Sequence, residues 1–207
     1  MKLKVCGNTN PENIQRLIEL SPDYLGFIFY PGSKRFIGFD ENIRRFVASI
    51  NQVEKTGVFV NTTIEKVKTC IAAYKLDLVQ LHGKESPEYC KELAKKIPVI
   101  KAFGISPDFD FATTIAYENN CSHFLFDTAC PEYGGSGQTF DWSALQRYKG
   151  VTPFFLSGGI GMVHLPVIQS MHHPSLIGID VNSRFEITPG IKNINRLKTF
   201  SHALRNQ

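Results

Sequence analysis

Short apolar runs alternate with amphipathic segments along the whole of this 207-residue chain. The apolar runs are predicted to be strands that end near Cys6, Phe29, Val60, Leu81, Phe103, Phe126, Leu156 and Asp180. Neighbouring ends are at least 21 residues apart, as from Val60 to Leu81, and at most 31, as from Phe29 to Val60. Such an interval holds one strand, one helix and two loops. Runs such as 25–29 are apolar on both faces, which is typical of parallel strands covered by helices.

The segments between these runs have the features of helices. Apolar residues recur at helical spacing over 43–50 and over 64–74. Four side chains stand where a helix cap is expected, namely Asn10, Asp40, Ser86 and Asp141. Two of these caps are followed by proline, which is favoured in the first turn of a helix. Helices are also expected over 109–119 and over 162–171, although Pro166 lies inside the second range.

Eight strand–helix units without a break in composition predict an α/β fold. We expect a single (β/α)8 TIM barrel with a parallel eight-stranded core, formed by residues 1–207 as one domain. The length is near the lower limit for this fold, so the loops must be short. A doubly wound open sheet is the main alternative. That sheet rarely needs eight regular units, and no GxGxxG nucleotide fingerprint follows the first apolar run.

Composition limits the kinds of molecule that this chain is expected to bind. The net charge of +4 comes from scattered lysines and arginines, which permits an anionic ligand but does not favour nucleic acid. No apolar stretch approaches the roughly 20 residues that cross a bilayer, so no membrane partner is expected. The first residues lack the apolar core of a signal peptide. Five cysteines without CxxC or metal-ligand spacing indicate reduced thiols, a cytoplasmic location and no metal site.

Two residues at strand ends are candidates for proton transfer. In a barrel of this type, function resides at the carboxyl ends of the strands. Cys6 ends the first apolar run and Asp127 follows the sixth, so a thiol and a carboxyl would reach the same mouth. Lys4 points to the same side of its strand as Cys6 and would favour the thiolate if it lay nearby. A thiolate base facing a carboxylic acid can move protons on a small molecule.

Each candidate also has a simpler interpretation. A cysteine is most often a small buried apolar residue. Asp127 could be the cap of a loop or helix. An apolar strand end, however, partly removes the Asp127 carboxyl from water, and this favours the protonated form that a general acid needs. We therefore treat Cys6 and Asp127 as the candidate catalytic pair.

Polar and glycine-rich loops supply candidates for substrate binding. Loops after strands 7 and 8 of a barrel frequently form a phosphate site, and here they contain the following candidates: Gly158, Gly159, Asp180, Asn182 and Ser183. A glycine-rich segment at 133–137, with Gly135 at its centre, offers further backbone N–H groups. Glycine-rich loops are common, so this segment alone indicates little.

Three more side chains are assigned to the substrate. Arg35 follows the second apolar run and could hold a carboxylate through two parallel hydrogen bonds, although a solvated basic loop would contain such an arginine too. Gln80 and His82 close the fourth run. We assign both to substrate binding, even though a lone histidine is more often structural.

The order of these motifs resembles that of one known family, phosphoribosylanthranilate isomerase of tryptophan biosynthesis. None of the motifs is decisive alone, but together they cover nearly the whole chain at barrel spacing. They are Lys4-Val5-Cys6-Gly7, Gly26-Phe27-Ile28-Phe29 with Ser33-Lys34-Arg35, Gly57-Val58-Phe59-Val60, Val79-Gln80-Leu81-His82-Gly83, Gly134-Gly135-Ser136-Gly137 with Phe140-Asp141-Trp142, Ser157-Gly158-Gly159, and Asp180-Val181-Asn182-Ser183 with Glu186, Pro189-Gly190 and Lys192.

The resemblance implies a role for the matching residues. Cys6 would be the general base, Asp127 the general acid, and Arg35 the group that holds the anthranilate carboxylate. The segments 158–159 and 182–183 would bind the phosphate. The implied reaction is an Amadori rearrangement of N-(5-phosphoribosyl)anthranilate, a small phosphorylated aminosugar, to 1-(2-carboxyphenylamino)-1-deoxyribulose 5-phosphate. No cofactor is implied, because the substrate nitrogen serves as the electron sink.

Departures from the family pattern are small, and other interpretations stay open. Ser136 stands where threonine is common and Ser157 where alanine is common, which leaves the shape of the phosphate pocket undecided. Another phosphate-binding barrel enzyme, such as ribulose-phosphate epimerase, would need a His/Asp metal set that the sequence does not supply. A phosphosugar-binding protein without this activity is also compatible with the fold. A redox sensor would need a close pair of cysteines. A monomer or a homodimer is expected.

Overall fold

The computed structural model describes residues 1–129 and 139–205. Its central sheet is a closed barrel in which parallel strands pair in chain order. The strands are β1 (Lys2–Val5), β2 (Tyr24–Ile28), β3 (Glu54–Phe59), β4 (Leu78–Leu81), β5 (Val99–Ile105), β6 (His123–Thr128), β7 (Phe154–Leu156) and β8 (Leu176–Val181). Pairing of β1 with β8 closes the barrel, so the predicted (β/α)8 fold is confirmed and the open sheet is excluded.

Helices cover the outside of the barrel between the strands. The α-helices are α1 (Pro11–Ile18), α2 (Glu41–Ser49), α3 (Ile64–Tyr74), α4 (Pro87–Ala94), α5 (Leu165–Ser170) and α6 (Ile194–Arg205). Tighter 3-10 helices occur at Phe111–Tyr117, Trp142–Arg147, Met162–His164 and Ser183–Phe185. After β8, the strands β9 (Glu186–Thr188) and β10 (Ile191–Lys192) form an antiparallel pair. Over the described ranges, no helix is long and apolar enough to cross a membrane.

The predicted helix starts are confirmed by their hydrogen bonds. Each of the four side chains accepts a bond from a backbone N–H in the first turn of its helix: Asn10 from Asn13, Asp40 from Asn42 and Ile43, Ser86 from Tyr89, and Asp141 from Ser143. These bonds satisfy N–H groups that have no partner inside the helix. Each strand of the barrel ends within two residues of its predicted end.

The two expected helices at 109–119 and 162–171 differ from the prediction. The first is a 3-10 helix, in which the hydroxyls of Thr113 and Thr114 bond to carbonyls three residues earlier. Such local bonds compete with the α-helical pattern. The second begins as one 3-10 turn and becomes α-helical only at Leu165. Pro166 then lies in the first turn of α5, where its missing N–H costs nothing.

The apolar core has two layers separated by the barrel wall. Strand residues alternate between the faces, so Val79 and Leu81 pack outward against the helices while Leu78 points inward. The inward cluster consists of Tyr24, Leu78, Ile100, Ala102, Leu125 and Phe155. Gln80, two residues after Leu78, is also on the inner face and lines a cavity at the carboxyl ends of the strands. The inner cluster therefore forms the floor of that cavity.

Candidate active site

A cavity opens at the carboxyl ends of the barrel strands. Every predicted site residue that the structure describes lines it: Cys6, Arg35, Gln80, His82, Asp127, Gly158, Gly159, Asp180, Asn182 and Ser183. Gly135, the remaining predicted residue, lies outside the described residues together with its glycine-rich loop. Cys6 and Asp127 thus face one cavity, as the sequence predicted.

Cys6 follows the last residue of β1 and is almost fully buried. Its backbone N–H donates to the Val181 carbonyl at 2.9 Å, which ties it to the end of β8. Gly26 on β2 forms the adjacent wall. A Cβ atom at position 26 would lie 2.7 Å from the Cys6 sulfur, closer than non-bonded atoms can approach. The absence of a side chain at Gly26 therefore leaves the space that the sulfur occupies.

A buried ion pair lies next to the Cys6 sulfur. Lys4 and Asp180 are register partners on β1 and β8, and Lys4 Nζ lies 2.8 Å from Asp180 Oδ1. The Ser157 hydroxyl donates to the other Asp180 oxygen at 3.2 Å. Lys4 also lies close enough to the Cys6 sulfur to favour its ionised form. The lysine that the sequence placed on the same side as Cys6 is thus close to the sulfur and has Asp180 as its counter-charge.

The thiol of Cys6 is not ionised by these neighbours in the resting site. Burial raises the pKa of Cys6 above its ordinary value of 9.0, because the interior disfavours a charged sulfur. The ammonium groups of Lys4 and Lys192 act in the opposite direction and lower the pKa, but they do not outweigh burial. Lys4 therefore favours the thiolate, as the sequence predicted, but Cys6 is still a thiol in the resting site.

Asp127 occupies the opposite side of the cavity, within β6 rather than just after it. Its Oδ1 accepts a hydrogen bond from the Thr128 backbone N–H at 2.8 Å, and its Oδ2 lies 3.4 Å from His82 Nε2. The other ring nitrogen of His82 is 2.8 Å from the Gln80 side-chain nitrogen. Gln80 and His82 therefore form a polar row that leads to the carboxyl of Asp127. The Asp127 side chain is 17% exposed, which is enough to contact a ligand.

The loops after β7 and β8 meet at the rim of the cavity. Gly158 and Gly159 adopt positive φ angles of 92° and 59°, a left-handed conformation that favours glycine. Beside them, Gly161 approaches Arg184 so closely that an added Cβ would lie 3.3 Å from the Arg184 Cβ. Loops after strands 7 and 8 of a barrel frequently form a phosphate site. The two loops can accommodate a phosphate at this rim.

Two charged residues in the network that holds Arg35 received no role from the sequence. Glu186 binds the guanidinium of Arg35, and the buried Lys192 binds Glu186 at 2.8 Å. Both occur in the motif list above, but spacing along the chain does not show that they contact Arg35. The sequence feature that could have identified these two residues is their position as opposite charges on either side of the turn at 189–190. Elsewhere, among residues 1–129 and 139–205, no group of three or more His, Cys, Asp or Glu could hold a metal ion.

The remaining described cysteines lie away from the cavity. Cys70 and Cys90 are buried on α3 and α4. Cys121 is buried as well, and the nearby thiol of Cys90 raises the pKa of Cys121. The sequence showed no partner for Cys121, because proximity between a helix and a distant loop leaves no spacing pattern. Cys130 lies outside the described residues.

Comparison with known proteins identifies the family. The family model for N-(5'phosphoribosyl)anthranilate (PRA) isomerase matches residues 3–203. The chain belongs to this family. A relative from Parabacteroides distasonis, named N-(5'-phosphoribosyl)anthranilate isomerase, is 48% identical over 97% of this chain and 91% of its own length.

Solved structures support the same family and fold. Phosphoribosyl anthranilate isomerase from Thermotoga maritima is similar with a TM-score of 0.86 and 36% identity over the full length of both chains. A second structure, of such an isomerase in complex with reduced 1-(o-carboxyphenylamino)-1-deoxyribulose 5-phosphate, has a TM-score of 0.83 and 31% identity over the same coverage. That ligand contains a carboxylate at one end and a phosphate at the other.

Proposed function

We propose that the chain catalyses the reaction of its family with Cys6 as the general base and Asp127 as the general acid. The family is an isomerase of tryptophan biosynthesis, and its members convert N-(5'-phosphoribosyl)anthranilate, an aminoaldose, into an aminoketose. A small phosphorylated substrate agrees with the carboxylate- and phosphate-bearing ligand of the related complex. The observation that carries the proposal is the position of Cys6 and Asp127 on opposite walls of one cavity.

The ends of the substrate determine its orientation in the cavity. We assign the phosphate to the rim formed by Gly158, Gly159 and the loop at 182–183, and the anthranilate carboxylate to Arg35. Gln80 and His82 line the wall between β4 and β6, where they contact the sugar. Anchors at both ends hold the reacting carbon between base and acid, and such positioning lowers the entropic part of the barrier.

The reaction begins with ring opening. Asp127, in its protonated form, donates its proton to the furanose oxygen and so improves the leaving group. The lone pair of the anthranilate nitrogen assists as the C1'–O bond breaks, and a protonated Schiff base results. Asp127 is then a carboxylate that accepts the Thr128 N–H, a bond already present in the structure.

Proton abstraction follows. The Schiff base withdraws electrons from C2', which makes the hydrogen there acidic. Cys6, as thiolate, removes that hydrogen, and its electrons form the C1'=C2' bond of an enolamine. The enolamine then tautomerises to the ketone product. Because the resting thiol is not ionised, catalysis uses the small thiolate fraction that Lys4 and Lys192 stabilise.

A fluorescence assay for the loss of N-(5'-phosphoribosyl)anthranilate tests this assignment. With purified protein, Cys6→Ala and Asp127→Asn should each lower kcat by about 10²–10⁴-fold, the usual contribution of one proton transfer. Two variants that retain activity serve as controls: Cys70→Ala, on α3, and Asp108→Asn, on the surface. Near-normal turnover by Cys6→Ala or Asp127→Asn would remove that residue from its role. An inactive parent chain would instead support a phosphosugar-binding protein without this activity.

Two further expectations belong to the proposal. The cytoplasmic location rests on the scattered cysteines of the sequence, and labelling of the expressed chain in cells would test it. For the assembly we keep a monomer or a homodimer, which light scattering of the purified chain distinguishes. Neither expectation enters the chemistry above.

A further inference from the structure

Arg35 is held from one edge of its guanidinium by Glu186. Arg35 Nε lies 2.9 Å and 3.0 Å from the two Glu186 carboxylate oxygens, and Arg35 Nη2 lies 2.7 Å from Oε2. These bonds occupy the Nε/Nη2 edge. Nη1 has no hydrogen-bond partner in the part of the chain that the structure describes. The Nη1/Nη2 edge therefore retains N–H groups in the geometry that a second carboxylate needs.

Glu186 itself is fixed by two other donors. Lys192 Nζ lies 2.8 Å from Glu186 Oε1, and the Gly190 backbone N–H donates to the same oxygen at 3.0 Å. Lys192 also donates to Asn182 Oδ1 at 2.6 Å, which connects it to the loop after β8. Glu186 and Lys192 are register partners across the β9–β10 pair. The carboxylate that holds Arg35 thus belongs to a rigid, hydrogen-bonded hairpin.

The stem of Arg35 is confined as well. Gly7, with a φ of +75°, lies beneath the side chain, and a Cβ at this position would come within 2.7 Å of Arg35 Cδ and 2.8 Å of Asn182 Oδ1. Only a glycine leaves this space in a left-handed conformation. Arg35 is therefore enclosed between the turn after β1 and the β9–β10 hairpin before any ligand arrives.

The charges of this cluster leave one positive charge unmatched. Arg35 and Lys192 contribute two positive charges, and Glu186 contributes one negative charge. Burial alone would raise the pKa of Glu186, but hydrogen bonds from Arg35 and Lys192 outweigh it and lower the pKa below 4.5. Glu186 is thus ionised at neutral pH. The cluster has a net charge of one, which a single substrate carboxylate neutralises.

We propose that Glu186 is a positioning residue that holds Arg35 by its Nε/Nη2 edge so that the Nη1/Nη2 edge receives the substrate carboxylate. This inference rests on the proposed function, in which Arg35 is the carboxylate anchor. Glu186 does not touch the substrate. It acts through Arg35, whose side chain is already ordered before the ligand binds, so binding costs less conformational entropy. This gain in affinity applies only to ligands that have a carboxylate.

The test compares two ligands that differ only in the carboxylate. They are reduced 1-(o-carboxyphenylamino)-1-deoxyribulose 5-phosphate and its phenylamino analogue without the carboxyl group. Calorimetry gives the Kd of each for the parent chain, Arg35→Met, Glu186→Gln and Glu41→Gln. Glu186→Gln keeps the size of the side chain and removes its charge. Glu41→Gln removes a glutamate that pairs with Arg44 and Arg45 on the exposed surface of α2, so it is a matched control.

Glu186→Gln should weaken binding of the carboxylate ligand about tenfold and change binding of the analogue less than about twofold, as expected when a charge-assisted anchor is lost. In turnover, KM should rise while kcat stays within about threefold, the pattern of lost uniform binding. Arg35→Met should show the same selectivity with a larger effect, and Glu41→Gln should bind both ligands like the parent chain.

The outcomes separate this inference from the proposed function. If Arg35→Met is selective and Glu186→Gln is not, Glu186 does not position Arg35, and the anchor itself stands. If Arg35→Met weakens both ligands equally, the anchor is wrong, and the inference fails with it. Should Glu186→Gln not fold, Glu186→Asp decides, because its shorter carboxylate withdraws from Arg35 with the charge retained. Equal losses for the two ligands with Glu186→Asp would overturn the proposal.

Discussion

The two walls of the cavity place the proposed proton-transfer groups in opposite environments. Cys6 is surrounded by fixed charges that are almost wholly buried, namely Lys4, Asp180 and Lys192. Asp127 has the polar side chains of Gln80 and His82 beside it and is partly exposed. The base wall is therefore built from ion pairs and the acid wall from hydrogen bonds.

This difference matches the task of each wall. A carbon acid releases its proton slowly, so the base needs a site whose charges hold the thiolate without reorganisation. The acid exchanges its proton with water between turnovers, and partial exposure allows that exchange. We infer that stability and ionisation are coupled at the base wall.

Removal of Lys4 should have the largest effect on stability. Lys4→Met leaves Asp180 buried without its counter-charge, and breaking a buried pair in this way costs about 3–5 kcal/mol. Urea unfolding of the variant measures the loss. Lys198→Met removes an exposed lysine of α6 and should change the free energy of unfolding by less than about 0.5 kcal/mol. Equal values for the two variants would show that the base wall is not held by this ion pair.

The ionisation of Cys6 should show the next largest effect. The pKa of Cys6 is raised above 9.0 by burial, so the thiolate fraction grows with pH throughout the neutral range. Because each pH unit below the pKa gives about a tenfold gain in thiolate, the ultraviolet absorbance of the thiolate should rise steeply from pH 7 to pH 9. The difference in absorbance between the parent chain and Cys6→Ala measures this rise. A thiolate signal that is already complete at pH 7 would mean that the resting sulfur is ionised.

At the acid wall, the effect on stability should be the smallest. His82 and Asp127 are separated by 3.4 Å and each side chain is 17% exposed. Partly exposed pairs of this kind contribute about 0–1 kcal/mol, so His82→Gln should lower the free energy of unfolding by no more than that. Thermal melts beside the parent chain provide the measurement. A loss as large as that of Lys4→Met would contradict the contrast between the walls.

The sequence predicted the barrel and its strand ends because both depend on local patterns. Apolar runs with fixed spacing define the strands, and caps such as Asn10 and Ser86 define where helices start. The 3-10 helix at Phe111–Tyr117 escaped prediction, since threonine hydroxyls competing for backbone carbonyls leave the apolar spacing unchanged. Topology then placed Cys6 and Asp127 at one mouth.

Long-range charge pairing was beyond the sequence. Arg35 and Glu186 are 151 residues apart, and no periodicity relates them. The pattern of paired glycines in the sequence predicted where Gly158 and Gly159 lie. It did not predict the close approach of Gly7 to Arg35. Contacts between separate loops depend on how the barrel closes, so only the folded chain shows that Glu186 and Lys192 form a charge network with Arg35.

The pairing of Lys4 with Asp180 joins residues that are 176 positions apart and has a consequence for synthesis. A growing chain carries the unmatched ammonium of Lys4 from the start and gains its carboxylate only when the eighth strand leaves the ribosome. A truncated product that stops before residue 180 would leave that charge without a counter-ion inside the fold. Strand β8 thus supplies the counter-charge that lets Lys4 lie in the interior, and the candidate site can form only after β8 has been synthesised.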